Sequence, residues 1–302
     1  MNILDLNGWA KSLDDMIIIG GSARSGTTMM GKLINSLENT EYKFEPPVLV
    51  SLLLKFKELP MKSVKEILQF YFYDDFLLNS LAGRNVNMNL NDDSCILHSK
   101  SKDQILNRQN SSFRQTQLED LVKDINFSFK LPDVTFFLNE MDQLFPGNRK
   151  ILMHRSYGDV ISSLLMKRWF SDECLDQNHP CQVYATRLIN GVKVPFWVED
   201  DSLWLKSSEI DRCSQYYLSI CRSILNANDS IVVDYDRFVE SPFSSFRKLS
   251  EVINLSFTEK TDELLGTIYK KEGNSFENFS GFNSVLLKEL KIIDEKVKDK
   301  AI

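Results

Sequence analysis

A glycine-containing turn near the start of the chain is the first feature whose spacing suggests chemistry. The segment Gly20–Thr28, with the sequence GGSARSGTT, lies between an apolar run and an apolar helical pattern. A turn of this kind between a strand and a helix points several backbone N–H groups at one place, and the helix N-terminus adds partial positive charge there. The sequence therefore predicts an anion site suited to a phosphate or sulfate group.

The spacing within this turn matches a known phosphate-binding pattern except at one position. Gly21 and Gly26 are spaced like the glycines of G-x-x-x-x-G-K-[ST], and Thr28 has the place of the hydroxyl residue. The lysine of the pattern is replaced by Thr27. In nucleoside triphosphatases this lysine reaches the β- and γ-phosphates, so its absence argues against hydrolysis of ATP or GTP. Arg24 supplies a cation from within the turn instead.

The turn resembles the 5′-phosphosulfate loop of sulfotransferases that use PAPS (3′-phosphoadenosine-5′-phosphosulfate), in which [RK]-S-G-T-T follows the first strand. The resemblance implies that PAPS is the donor cosubstrate and that no metal is required. It also implies that the donor's 5′-phosphosulfate is bound by Arg24, Ser25, Gly26, Thr27 and Thr28.

A second motif follows the apolar segment that ends at His154. Arg155, Asp159 and Ser163 fit the family signature R-x-x-x-D-x-x-x-S. An arginine at a strand end can make a forked contact with a phosphate. The resemblance implies that Arg155 and Ser163 bind the 3′-phosphate of the donor. Ser162 is the adjacent alternative, although a helix would turn it about 100° away.

Transfer of a sulfuryl group to a hydroxyl needs a base for the proton and a cation beside the leaving oxygen. Glu45 stands in the segment where tyrosylprotein and several carbohydrate sulfotransferases carry a catalytic glutamate, so it is assigned as the base. Glu38 and Glu41 are nearby carboxylates that are expected to be solvated charges at a helix end. Lys130 resembles the lysine of the family's N-K-x-P or E-K-x-P segment and is assigned as the cation.

Two further positions are assigned to the donor site. Tyr235 lies in a segment that looks like the family's Y-E-D-L-V-x-x-P, and it supports the nucleotide pocket or serves packing. Lys271, in the polar stretch KKEGNS, is assigned to the basic loop that closes over the 3′-phosphate in this family.

The elements around these motifs predict an α/β fold, a doubly wound parallel sheet of the P-loop type with helical insertions. Apolar, non-alternating runs are typical of strands that are covered on both faces. The predicted strands are Met16–Gly20, Asn126–Lys130, Lys150–His154 and Ser230–Tyr235. The glycine-containing turn, Lys130, Arg155 and Tyr235 lie at the carboxyl ends of these strands, so they are expected to meet in the crevice at that edge of the sheet. We expect one domain over residues 1–302, with helical insertions at about 46–125 and 171–225.

Composition narrows the class of protein. The 302 residues carry a formal net charge of −6, which disfavours a general role in binding nucleic acid. No apolar run is long enough for a signal peptide or a membrane span, which favours a cytoplasmic protein. The three histidines are scattered and indicate no metal site. The oligomeric state stays open.

The acceptor is less well specified than the donor. The leading hypothesis is transfer to a hydroxyl or amine of a carbohydrate or small molecule, with release of 3′,5′-ADP. Sulfation of protein tyrosine, a P-loop small-molecule kinase with Asp234 on Mg²⁺, and a non-catalytic scaffold are the alternatives. Aromatic residues of the insertions suit either an acceptor pocket or a core; they are Phe70, Tyr71, Phe72, Tyr73, Trp169, Phe196, Trp197 and Trp204.

Overall fold

The computed structural model describes residues 13–180, 185–269 and 283–302. Its central sheet has five strands, all parallel. The strands are β1 (Ile17–Gly21), β2 (Thr40–Phe44), β3 (Asn126–Lys130), β4 (Arg149–His154) and β7 (Ser230–Asp234), with β5 (Thr186–Ile189) and β6 (Val192–Pro195) forming a separate antiparallel pair. The order across the main sheet is β2-β3-β1-β4-β7, so β1 is central and β3 lies between it and the edge strand β2.

Helices fill the connections between the strands. They are α1 (Thr27–Ser36), α2 (Pro47–Leu54), α3 (Met61–Phe70), α4 (Lys102–Asn110), α5 (Gln115–Val122), α6 (Leu138–Leu144), α7 (Tyr157–Lys167), α8 (Asp172–Leu175), α9 (Asp201–Lys206), α10 (Glu209–Asn226), α11 (Tyr235–Glu240), α12 (Pro242–Ile253), α13 (Glu259–Gly266) and α14 (Ser284–Lys300). A π-helix (Tyr71–Leu78) and a short α-helical end (Asn79–Leu81) continue α3, and 3₁₀ turns cover Ile96–His98 and Pro132–Phe137.

Both faces of the sheet are covered by helices, because successive side chains of a strand point to opposite faces. Ile17 and Ile19 pack on one face with Met30 and Leu33 of α1. Ile18 belongs to a different buried cluster on the other face. The predicted doubly wound α/β fold is therefore confirmed, and it explains the apolar, non-alternating sequences of β1 and β4.

The carboxyl ends of the parallel strands meet at one edge of the sheet. The register pairs Gly21 with Met153, Phe44 with Lys130, and His154 with Asp234. Each chemical motif of the sequence follows or ends one of these strands, so the sheet alone brings them to a common crevice.

The edge strand β2 was not predicted, and Glu41 within it corrects the expectation of a solvated charge. Glu41 is fully buried and accepts hydrogen bonds from Arg108 Nη2 (2.6 Å) and Ser80 Oγ (2.5 Å). Lys100 and Arg108 outweigh the cost of burial and lower the pKa of this carboxyl. Burial of a charged residue is not predictable from the sequence around it when the residues that pair with it lie in a distant insertion.

The second insertion is only partly helical, which corrects the prediction for residues 171–225. Strands β5 and β6 form a hairpin whose turn, Asn190-Gly191, has positive φ angles of 50° and 80°. Asn and Gly tolerate that conformation, and an Asn-Gly pair is a strong hairpin signal.

Among the helices of the described residues, none has the length and apolar character needed to cross a bilayer.

Candidate active site

The glycine-rich loop leaves the N-terminus of α1 open to an anion. Gly26 precedes the helix with φ 90°, and no side chain among the described residues caps it. The loop is held from outside: Gly21 N–H donates to Thr135 Oγ1 (2.7 Å), and Ala23 N–H donates to Tyr216 Oη (3.0 Å). First-turn N–H groups of α1 thus remain available, as an anion site requires.

Two features favour glycine at position 26: its positive φ angle and the lack of room for a side chain. A Cβ built on it would lie 2.4 Å from the ring of Tyr235, which follows β7. That ring also lies beneath the guanidinium of Arg155, 4.7 Å from the centroid. Tyr235 therefore packs between the loop and the second motif.

The two predicted anion-binding motifs touch each other. Arg24 Nε of the loop donates to Ser163 Oγ of α7 at 2.9 Å. Arg155 pairs with Asp159 (3.1 Å), while its Nε is buried without a hydrogen-bond partner among the described residues. Ser162, the alternative to Ser163, points into the protein, where its Oγ has no partner in the described part of the chain. Arg155 Nε has no partner among the described residues, and the N-terminus of α1 has no side-chain cap. Two such groups suit a ligand that carries two separate anionic groups.

Glu45 and Lys130 form an ion pair at the ends of β2 and β3. Lys130 is 2% exposed and its Nζ lies 4.2 Å from the centroid of the Phe44 ring, whereas the Glu45 side chain is 34% exposed. Burial lowers the pKa of Lys130, and Glu45 opposes this effect. Both side chains line the same cleft as Arg24, Thr27 and Thr28.

The backbone of Glu45 is held in an uncommon conformation. Its φ is 39°, in the left-handed region that residues other than glycine seldom adopt. The Glu45 N–H donates to the carbonyl of Lys130 at 2.8 Å, so main chain and side chain both bind the same neighbour. Strained positions of this kind persist where the surroundings hold them, and they cluster at functional sites.

The cleft beside the loop has a volume of about 290 Å³ and contains a carboxyl that the sequence analysis missed. Asp133 lines it two residues after Leu131, and burial together with Glu45 raises the pKa of this carboxyl to about 6, opposed by Lys130. Its place in Lys130-Leu131-Pro132-Asp133 was the available signal, since it lies only three positions beyond the assigned cation. Tyr216, on α10, was also missed because nothing near it in sequence marks it.

The aromatic residues of the insertions divide between pocket and core. Trp169, Phe196 and Trp197 line the cleft, together with Phe170. Phe72, Tyr73 and Trp204 are buried in hydrophobic clusters, and Phe70 and Tyr71 do not line the cleft.

A buried charge cluster supports the second motif from behind. His154 contacts Asp234 (3.3 Å), Tyr217 Oη (3.0 Å) and Asp294 (3.2 Å). Asp294, on α14, also accepts from the N–H of Tyr157, at the start of α7 (3.1 Å). The C-terminal helix is thereby fastened to the segment that carries Arg155.

Two further residues named in the sequence analysis are Asp234 and Lys271. Asp234, the candidate Mg²⁺ ligand of a kinase, is 2% exposed, and its carboxylate contacts His154 and accepts from Arg237 N–H (2.9 Å). Lys271 lies outside the described residues. Within residues 13–180, 185–269 and 283–302, no group of three or more His, Cys, Asp or Glu side chains is arranged to hold a metal ion.

Comparison with known proteins bears on the family and the fold of the chain. The family model described as the sulfotransferase family matches residues 16–259. A search of curated proteins found no match. The sulfotransferase domain of the Synechococcus PCC 7002 olefin synthase has a TM-score of 0.51 at 14% identity, covering 94% of each chain. Sulfotransferase STF9 from Mycobacterium avium has a TM-score of 0.48 at 13% identity, covering 97% of this chain and 79% of that one.

The structural likeness, at these identities, concerns the fold alone. The family model carries the assignment, because it spans most of the chain, from the first strand to the start of α13. The open loop, the second arginine motif and the Glu45–Lys130 pair all fall within the matched residues. The chain belongs to the sulfotransferase family.

Proposed function

We propose that the protein transfers a sulfuryl group from PAPS to a hydroxyl, or an amine, of a carbohydrate or small-molecule acceptor and releases 3′,5′-ADP. The observation that carries this proposal is the contact between the two anion-binding motifs, Arg24 Nε to Ser163 Oγ at 2.9 Å, in a crevice that also holds Glu45 and Lys130. A donor with a 5′-phosphosulfate and a 3′-phosphate needs two such motifs side by side. A cytoplasmic location stays a prediction.

The proposed donor contacts use the loop and the second motif, which lie beside each other. N–H groups of the loop, with Arg24, Ser25, Gly26, Thr27 and Thr28, would hold the 5′-phosphosulfate. Arg155 and Ser163 would bind the 3′-phosphate, which would give the buried Arg155 Nε a partner. Tyr235 would support this side of the nucleotide, and Lys271 is a further proposed contact.

The reaction is an in-line displacement at sulfur. The acceptor oxygen forms a bond to sulfur, and the bond from sulfur to the bridging oxygen of the phosphate breaks. Glu45 takes the proton of the acceptor hydroxyl, while Lys130 stabilises the negative charge that develops on the bridging oxygen. Before substrates bind, these two side chains neutralise each other as an ion pair.

The kinase alternative is weakened by two observations. Thr27 replaces the lysine that P-loop kinases direct at the transferred phosphate. Asp234 is already engaged by His154 and by a helix N–H, so it has no free carboxylate to offer a magnesium ion.

Ligand-induced stabilisation tests the donor. A ligand at one hundred times its Kd stabilises a protein by about 2.7 kcal/mol. We expect 3′,5′-ADP to raise the melting temperature by several degrees and ATP with Mg²⁺ to have little effect. Stabilisation by ATP with Mg²⁺ alone would refute the proposal in favour of a kinase.

Formation of a sulfated product distinguishes an enzyme from a non-catalytic scaffold protein. We expect ³⁵S-labelled PAPS, incubated with the protein and a metabolite extract, to yield labelled products whose masses are increased by one sulfate. Stabilisation by 3′,5′-ADP without any such product would favour a non-catalytic nucleotide-binding protein.

A further inference from the structure

The side of the cleft that faces the glycine-rich loop is built from aromatic rings in fixed positions. Trp197 lies parallel to Phe136, with ring centroids 5.8 Å apart and an interplanar angle of 6°. It also meets Trp204 edge-on at 5.2 Å, so its orientation is set from two directions. Trp169 is 36% exposed and lines the same cleft. This arrangement offers flat apolar surface to a bound molecule.

One arginine fixes the turn that carries Phe196 and Trp197. Arg187 Nη2 donates to the carbonyl of Val198 at 2.6 Å, and its Nη1 donates to that of Pro195 at 3.3 Å. The same guanidinium pairs with Asp201 at the start of α9. The carbonyls on either side of the two aromatic residues are therefore held by a single planar group. A wall arranged in advance lowers the entropic cost of binding.

Polar side chains in this part of the cleft are confined to the reacting end. Glu45 and Asp133 lie there, beside Lys130. Asp133 accepts no hydrogen bond within the described residues. Away from that end the lining is aromatic or aliphatic, and the one phenol, Tyr216, already accepts from the loop N–H of Ala23.

A second cavity of the same protein has a polar lining and serves as a comparison. It has a volume of about 310 Å³ and is lined by asparagines, serines and charged side chains, among them Asn79, Asn85, Asn87, Ser94 and Asp93. Bound sugars need several such partners around the ring edge, because each buried hydroxyl without one is costly. The cleft beside Glu45 lacks them except at the reacting end.

We propose that the acceptor carries its hydroxyl on a flat, apolar body of the phenol or naphthol class, and that Arg187 positions Phe196 and Trp197 against that body. The proposal rests on the proposed function, which places the hydroxyl beside Glu45. It narrows the acceptor from carbohydrates and small molecules in general to apolar ring compounds.

The test is calorimetric titration of the full chain with 2-naphthol and with N-acetylglucosamine, each with and without 3′,5′-ADP. We expect saturable binding of 2-naphthol and none of N-acetylglucosamine. Trp169→Ala, at a half-exposed position, and Trp197→Ala should each weaken naphthol binding about tenfold, from the loss of ring contact and buried area. Arg222→Ala removes an exposed arginine paired with Glu289 and should leave binding unchanged.

The role of Arg187 is tested by kinetics with 2-naphthol as acceptor. Arg187→Ala should raise the KM for naphthol about fivefold to tenfold, since a loosened turn costs ordering entropy on binding, with kcat and the KM for PAPS little changed. Arg187→Lys should recover part of the affinity. An equal loss in kcat and in donor affinity would mean a merely structural role and would overturn this part of the proposal.

The acceptor proposal fails if wild-type protein does not bind 2-naphthol, if it binds N-acetylglucosamine more tightly, or if both tryptophan variants keep full naphthol affinity. Failure of the proposed function has a different signature, because 3′,5′-ADP would then neither bind nor stabilise the protein, whatever naphthol does.

Discussion

The two sides of the active-site crevice are built by different means. The side proposed for the donor, here called the donor side, consists of backbone N–H groups and a few cations from short segments, Gly20–Thr28 and Arg155–Ser163, at the ends of strands. The opposite side, which we propose for the acceptor, consists of side chains from separate segments, among them Trp169 after α7 and Trp197 after the β5–β6 hairpin. The first construction depends on local geometry, whereas the second depends on how remote segments pack.

This contrast makes different demands on the sequence. A phosphate group is recognised by N–H groups in a fixed conformation, which forces glycine at Gly26 and a cation at defined spacings. An apolar wall can be made from many combinations of aromatic residues, so no short pattern marks it. Variants of the donor side should therefore weaken donor binding, and variants of the acceptor side should raise the KM of the acceptor. Variants of the Glu45–Lys130 pair should lower kcat.

The largest effect is expected at the pair between the two sides. Glu45→Gln keeps the shape of the side chain but cannot accept the acceptor proton. General-base catalysis contributes about 10²-fold to 10⁴-fold, so kcat should fall by that order. The affinity for 3′,5′-ADP, measured by calorimetry, should be little changed.

Glu38→Gln is the matched control, since Glu38 is an exposed carboxylate just before β2, the strand that Glu45 follows. It should keep full turnover. If Glu45→Gln also kept full turnover, the base would have to be another group, and Asp133 would be the nearest carboxyl in the cleft.

An intermediate effect is expected on the donor side. Arg155→Ala removes a cation whose proposed partner phosphate does not react, so it should weaken 3′,5′-ADP binding about tenfold to a hundredfold. At saturating PAPS, kcat should change much less. Arg222→Ala, an exposed arginine outside the cleft, provides the comparison. Unchanged 3′,5′-ADP affinity in Arg155→Ala would contradict the assignment of the second anion site.

The smallest effect, a change in melting temperature, is expected from the buried cluster of His154, Asp234 and Asp294, which lies next to Arg155. Burial opposes the charged imidazole, but hydrogen bonds to Asp234 and Asp294 outweigh it and raise the pKa of His154. Burial likewise opposes the Asp294 carboxylate, but contacts with His154, Lys298 and Tyr217 lower its pKa to about 2.

The two shifts define a window of pH. The contribution of His154 is fully present below its unfolded pKa of about 6.5 and is lost as the pH rises through the higher folded value. The contribution of Asp294 is present above its unfolded pKa of about 3.9 and is lost as the pH falls towards 2. Wild-type protein should therefore exceed Asp294→Asn in melting temperature by ~3 °C near pH 5, and by less at pH 9. A difference that does not vary with pH would exclude this linkage.

The sequence by itself determined the fold class and indicated the residues that we propose for the donor side. The apolar runs of β1, β4 and β7 predicted buried parallel strands, and parallel strands bring their carboxyl ends to one edge. Once these strands were predicted, Lys130 and Arg155 had to lie near the loop, whereas the place of Glu45 depends on β2, which was not predicted. These inferences hold because each depends on residues close together in the chain, or on a rule of sheet geometry that does not depend on side-chain packing.

Only the tertiary structure decided the rest. From the sequence, Glu41 was expected to be a surface charge; in the fold it is buried in β2 and pairs with Arg108 of a distant helix. The difference between Trp197 in the cleft and Trp204 in the core depends on which ring the neighbouring helices cover. Burial and adjacent charge, which raise the pKa of Asp133, likewise exist only in the folded chain. The donor side follows from local backbone geometry, whereas the acceptor side results from contacts between segments that no pattern in the sequence connects.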